Sequence, residues 1–225
     1  MQISMTLEET LMDYIEEHCD GLDPVECIRK VRAANHGGFL EAVVRIWFTR
    51  PDPKKRLVWL HGERNSGKSE FIKCLEAIFC FQEFNFNLNY CVTEPPTQNI
   101  RPQIYTSKEF AVAHAFADAN FSDLKSMFEG DGAHLSTNKF VKFEKMMVDG
   151  NFIVATNKLP DISRFMSPKY ASEWLPLTAR FEMVTLHDFH VGGTPMPYTT
   201  ADLALALMFR VRGEPRPPAP LAIEP

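Results

Sequence analysis

Residues 57–69 read LVWLHGERNSGKS, and the fold turns on how they are read. Four apolar residues, Leu57 to Leu60, run into Gly62-x-x-x-x-Gly67-Lys68-Ser69, and a helix-forming segment, EFIKCLEAIFC, follows. A buried strand, a glycine loop and a helix in that order make a phosphate-binding loop. Glycines let backbone N–H groups curl around a polyphosphate, and the helix N-terminus adds the positive end of its dipole. Lys68 can reach the β and γ phosphates, and the Ser69 hydroxyl can sit on Mg2+. The candidate nucleotide-binding residues are therefore Gly62, Glu63, Arg64, Asn65, Ser66, Gly67, Lys68 and Ser69.

The whole chain sets outer bounds. Its 225 residues are enough for one sizeable core, or for a core plus a small helical module. Five cysteines, at 19, 27, 74, 80 and 91, show no metal-binding spacing, which fits free thiols in a reducing compartment. No apolar run approaches the ~20 residues needed to span a bilayer, so no membrane partner is expected. The formal net charge of −5 means that a nucleic acid would have to meet a local basic patch.

Upstream of the loop the sequence predicts three helices. Thr6-Leu7-Glu8-Glu9 has the pattern of a capping box, with Leu7, Leu11, Tyr14 and Ile15 at helical spacing and Gly21 as the stop. Asp23-Pro24 opens a second helix that runs to about Asn35. A third, roughly 39–48, carries Leu40, Val43, Val44 and Trp47. Residues 1–49 thus read as a helical module, whose role is packing, oligomerisation or substrate grip. TRPDPKKR (49–56) is a proline-broken linker into the nucleotide-binding domain, 50–212.

Downstream, FNFNLNY (84–90) alternates like one half-buried strand, and CVTEPPTQNIRPQ (91–103) reads as a loop. FAVAHAFAD (110–118) is ambiguous between helix and strand, its last few residues favouring a strand that ends in Asp118. SDLKSMFEGDG is a short helix, and HLSTNKFVKF alternates like a hairpin or protruding loop. NFIVAT (151–156) is a buried strand ending at Asn157, and Arg180–Leu186 is a last strand. TTADLALALMF (199–209) is a last helix, and the proline-rich 213–225 reads as a disordered tail. Strands alternating with helices predict an α/β domain with a central, mostly parallel sheet and the nucleotide at the strand ends.

Four features stand in order: the loop at 62–69, the acid at Asp118, the amide at Asn157 and an isolated Arg180. Together, over roughly residues 50–187, they resemble the superfamily 3 helicases of small viruses, the replication proteins of polyomaviruses, papillomaviruses and parvoviruses. The resemblance implies an AAA+-like ATPase that assembles as a hexameric ring, uses ATP and Mg2+, and translocates along single-stranded DNA while unwinding duplex. GERNSGKS is similar to the family's first motif and AFADAN to its second, with Asp118 holding Mg2+ together with Ser69. FIVATNKLP resembles the third motif, whose Asn157 senses the γ-phosphate. LTARF is close to the segment that supplies an arginine finger, Arg180, from a neighbouring subunit. By the same resemblance Lys54 reaches a neighbour's nucleotide, and Lys139, Phe140 and Lys142 lie on a DNA-binding hairpin. It implies further viral replication domains as partners, and the host nucleus as location.

The pattern departs from the family at Ala117, where a second acid is usual; Asp123 or Glu109 are the substitutes at hand. His187-Asp-Phe-His190 is not the metal-binding arrangement of a replication-origin nuclease. Three other readings stay open. Asn157-Lys158-Leu159-Pro160-Asp161 imitates a guanine-recognition motif, but Pro160 occupies the place of its carboxylate. Ala117 also suits a nucleotide-binding assembly module without motor activity, and an RNA-virus helicase of the same superfamily shares the loop motifs.

Overall fold

The computed structural model describes residues 5–52, 54–87, 90–93, 102–115, 124, 126–128, 133–136, 144–146, 150–159, 176–186 and 196–213. Three helices lead: α1 (Leu7–His18), α2 (Pro24–Ala33) and α3 (Gly37–Val43), the last continuing as a π-helical turn over Val44–Thr49. Their starts follow the local chemistry. Thr6 Oγ1 accepts from the Glu9 N–H at 3.2 Å while Glu9 Oε2 accepts from the Thr6 N–H at 2.7 Å, a reciprocal cap. Asp23 caps α2 through the Val25 N–H at 3.1 Å, with Pro24 in the first turn.

Strand β1 (Leu57–Gly62) and helix α4 (Lys68–Ile78) flank the glycine loop. There follow β2 (Phe81–Asn87), β3 (Tyr90–Thr93), β4 (Ile104–Ser107), α5 (Val112–Ala115), β5 (Ala133–Ser136), β6 (Glu144–Met146), β7 (Asn151–Thr156), β8 (Phe181–Leu186) and a final helix, α6 (Thr200–Arg212). The eight strands among the described residues join one sheet in the order β6-β5-β3-β2-β4-β7-β1-β8. The five strands β2, β4, β7, β1 and β8 are mutually parallel, so the chain has the α/β architecture read from its sequence. β3 runs antiparallel to β2, and β5 and β6 pair antiparallel beyond it.

The central strands are buried on both faces, as a parallel sheet between helical layers requires. Val58 and Leu60 of β1 and Ile153 and Ala155 of β7 point into a core shared with Leu11, Val31, Phe39, Ile46, Phe71, Leu75 and Leu207. The three N-terminal helices, α4 and α6 therefore bury their apolar sides in one layer on this face of the sheet. The alternate residues, Leu57 and Trp59 of β1 with Phe152 and Val154 of β7, meet Phe84, Phe110, Leu124, Phe128 and Leu177 on the other face.

Two local expectations are corrected. The alternating 84–90 segment is not one strand: Asn87 pairs with Tyr90, and the chain reverses between β2 and β3. Cys91–Thr93, expected in a loop, belongs to β3. In the apolar stretch 110–118, ambiguous between helix and strand, Val112–Ala115 is helical, and 116–118, where a strand end is expected, lies outside the described residues. The strand that lies between β2 and β7 is Ile104–Ser107, which the sequence did not single out.

Candidate nucleotide-binding site

The glycine loop emerges where the sheet changes winding. From β1 the chain turns through α4 into the layer that also holds α1, α2, α3 and α6. The connection that arrives at β8 carries Leu177 into the opposite core. Adjacent strands with connections leaving to opposite faces leave a crevice at their C-terminal ends, and in α/β sheets ligands bind there. β1 and β7 are the strands concerned. His61 pairs with Thr156, so Asn157 stands beside Gly62 at the mouth of the loop. Trp59 Nε1 donates to Thr156 Oγ1 at 2.9 Å and locks the two strand ends together.

The loop backbone is shaped for an anion. Asn65 and Gly67 both take left-handed conformations, φ 64° and 80°. Gly67 is the cap residue of α4 and makes no side-chain cap, so the first N–H groups of the helix are left to face the loop. The left-handed turn comes readily to glycine. Here the space also demands it, because a Cβ on Gly67 would lie 2.6 Å from His36 Cε1 and 2.7 Å from His36 Nε2.

Lys68 lies within this turn, 5 % exposed. Its ammonium donates to Gly62 O at 3.0 Å, Glu63 O at 2.6 Å and Ser66 Oγ at 2.9 Å. Burial pulls its pKa below the ordinary lysine value. A desolvated cation whose partners among the described residues are all neutral oxygens has a strong electrostatic reason to exchange them for a phosphate. Ser69, half-buried, follows in the first turn of α4, while Glu63, Arg64 and Asn65 are exposed on the loop's outer side.

The expected site residues divide between two edges of the sheet. Lys68, Ser69 and Asn157 gather at the C-terminal edge. Arg180 sits at the other: its carbonyl accepts from the N–H groups of Arg56 and Leu57, at the beginning of β1. Leu57 pairs with Phe181 and Gly62 with Leu186, so five residues of strand, about 17 Å, separate Arg180 from the loop of its own subunit. The Arg180 side chain is folded in, 7 % exposed, with Nη1 donating to Pro176 O. Burial pulls its pKa down and the nearby Asp52 carboxylate opposes that pull. Lys54 is exposed at this same edge, its N–H donating to Asp52 Oδ1 at 2.9 Å.

Asp118 and its neighbour Ala117 lie outside the described residues, as does Asp123. Glu109 is described: it is exposed in the turn that ends β4, next to Phe110, whose N–H donates to Ala155 O at 3.0 Å near the end of β7. Among the described residues Glu109 thus places a carboxylate along the loop's edge of the sheet. No group of three or more His, Cys, Asp or Glu that could hold a metal ion occurs among the described residues. Lys139, Phe140 and Lys142 also lie outside them, but the segments on either side form the antiparallel pair β5–β6, with Leu135 opposite Glu144.

No family model matches the chain, and no curated protein matches it. Among solved structures, an apo form of the NrS-1 C-terminal region is similar, at 15 % identity over 92 % of this chain and 47 % of that one, with a TM-score of 0.44. A second form of the same region gives 14 % identity over 92 % and 46 %, with a TM-score of 0.42. The JCV helicase is similar at 16 % identity over 80 % of this chain and 53 % of that one, with a TM-score of 0.35. The chain spans about half the length of these solved chains. Strand order and register, not these likenesses, define the fold described above.

Two features of the site were not readable in the sequence. One is the β4 strand, which sets the already noted Glu109 just beyond its end. The other is His36, fully buried, whose Nε2 lies 2.9 Å from Ser66 O in the glycine loop. Nothing local marks it, since its partners come from 30 and 162 residues away. No helix among the described residues is long and apolar enough to cross a membrane.

Proposed function

We propose that the chain is an ATP-driven motor of the superfamily 3 type, hydrolysing ATP between neighbouring subunits of a hexameric ring and moving along single-stranded DNA. The observation that carries this reading is the division of the expected residues between two sheet edges. A subunit that holds ATP at its C-terminal edge and offers Arg180 and Lys54 from its N-terminal edge is built for head-to-tail contact. Repeated heterologous contacts of that kind close into rings.

Phosphoryl transfer to water is mostly positioning and charge neutralisation. The loop N–H groups and Lys68 would hold the β and γ phosphates, and Asn157 would orient the attacking water beside the loop. Arg180 of a neighbour would cover the charge that develops on the γ-phosphate. Ser69 and Asp118 are the residues that would hold Mg2+, with Glu109 a second carboxylate source; the ion supplies charge neutralisation on the phosphate oxygens. Lys139, Phe140 and Lys142, between β5 and β6, would meet the DNA strand, the lysines on phosphates and the ring on a base or sugar. Further viral replication domains as partners and action in the host nucleus belong to the same proposal.

The test is ATP hydrolysis with and without single-stranded DNA, in wild type, Lys68→Ala and Arg180→Ala. Stimulation by DNA, loss in both variants, and retained ATP binding in Arg180→Ala are expected. A second reading, a nucleotide-binding assembly module without motor activity, is favoured by Ala117 and by the inward fold of Arg180 onto Pro176 O. Wild type that binds ATP yet hydrolyses none under any DNA condition would establish that reading instead.

A further inference from the structure

His36 ends the α2–α3 turn, directly before Gly37, and is wholly buried. Its ring rests on Phe39, centroids 5.1 Å apart, and meets the edges of Phe71 and Tyr198, each at 5.7 Å. Both ring nitrogens are engaged, and their partners determine the proton positions. Ser66 O can only accept, so Nε2, at 2.9 Å, carries the hydrogen. Nδ1 is then the acceptor, and the Tyr198 hydroxyl, 2.6 Å away, donates to it. Burial raises the pKa of Tyr198 and keeps that hydroxyl protonated.

The consequence falls on one peptide group of the glycine loop. A peptide unit is planar and trans, so its C=O and N–H point in opposite directions. Holding Ser66 O towards His36 therefore turns the Gly67 N–H away from the helical layer. The close fit of the ring over Gly67, where even a Cβ would be about 2.6 Å from Cε1, prevents that peptide from rotating back. We infer that His36, with its tautomer set by Tyr198, is a positioning residue that fixes the Ser66–Gly67 peptide so that the loop presents the Gly67 N–H to a bound phosphate. This rests on the reading of the loop as a triphosphate site. It also gives the N-terminal helices and the segment before α6 a direct part in nucleotide binding.

The test uses the full chain with Mg2+-ATP and, as a probe without phosphates, adenosine. His36→Phe keeps the ring and its burial but offers Ser66 O no donor; it should weaken ATP binding about tenfold, the loss expected for one misdirected hydrogen bond to a charged group. His36→Gln, which restores an N–H donor near Nε2, should recover most of that loss. Tyr198→Phe releases the tautomer and should give an intermediate effect. Adenosine affinity should be unchanged in all three, and in hydrolysis the change should appear in KM rather than kcat.

Nitrogen NMR of the ligand-free wild type should show His36 with its proton on Nε2. A folded His36→Phe protein with wild-type ATP affinity, equal losses for ATP and adenosine, or a proton on Nδ1 would each overturn the inference while leaving the loop reading intact. Wild type that binds no ATP would overturn the loop reading and this inference with it. Should His36→Phe not fold, the Tyr198→Phe affinity and the tautomer measurement decide the matter.

Discussion

Lys68 and Arg180 stand at opposite ends of the same strand pair, Lys68 beyond the C-terminus of β1 and Arg180 just before the N-terminus of β8. Within one subunit they cannot act on one phosphate. Any chemistry that uses both must take them from two molecules.

That separation predicts complementation. Arg180→Ala and Lys68→Ala should each be inactive alone. Mixed in equal amounts, they should regain hydrolysis, because about a quarter of random interfaces would join an intact loop to an intact arginine. Hydrolysis rates of the mixture against each variant check this, and a mixture as silent as its components would rule out the shared site.

Gly67 and Gly21 both have positive φ, but only Gly67 is crowded. Gly21→Ala meets nothing within 4 Å and should cost only the backbone strain, about 1–2 kcal/mol in denaturant titration. Gly67→Ala adds a collision with the His36 ring and should exceed that cost while abolishing ATP binding. Similar losses for the two variants would show that the ring gives way.

Asp202 binds the two ends of the chain. Its Oδ1 accepts from Lys30 Nζ at 2.8 Å and from Cys27 Sγ at 3.3 Å, and its Oδ2 from the Thr199 N–H at 2.8 Å. Burial pushes its pKa up, but the Lys30 and Thr199 bonds outweigh burial and hold it below the ordinary aspartate value. A carboxylate with a lowered folded pKa stabilises above its unfolded value, near 3.9, and loses that contribution as pH falls through the folded pKa. Asp202→Asn should cost about 2 kcal/mol at neutral pH, the scale of a hydrogen bond to a charged group, and flatten the acid limb of the stability curve. The double variant Lys30→Met/Asp202→Asn should recover part of the loss, since no unpaired charge is then left behind.

Glu76 on α4 accepts from Thr106 Oγ1 at 2.6 Å and from Lys108 Nζ at 2.9 Å, and Lys108 also pairs with Glu83. This ties the helix that begins at Lys68 to the strand that ends near Glu109. Glu76→Gln should destabilise the fold by about 1–2 kcal/mol, because it weakens a charge-assisted bond while Thr106 keeps an acceptor. Thermal unfolding checks it. Glu76→Leu, which leaves the Thr106 hydroxyl buried without that acceptor, should cost more.

The parts of the site that the sequence showed plainly are those whose chemistry is local. A glycine forced to φ 80°, a lysine and a serine in the first turn of a helix, and a buried NFIVAT strand all announce themselves within a dozen residues. β4 did not, because it is four residues long and three of the four carry a hydroxyl. Thr106 and Ser107 are buried, and Thr106 is satisfied by a carboxylate 30 residues away. His36 was silent for the same reason: its meaning lies in Ser66 and Tyr198, which only the folded chain brings to it. The break between β2 and β3 was hidden by a pattern of alternation that runs on through the reversal.

The β5–β6 pair is hydrogen-bonded into the same sheet as β1, separated from it by β3, β2, β4 and β7. Six inter-strand steps of about 4.8 Å from β1 to β6 make an arm of roughly 29 Å. A tilt of about ten degrees pivoting on β1 would sweep its far end by about 5 Å. Because these strands share one hydrogen-bonded sheet, a small rotation at β1 would become a larger displacement at β6.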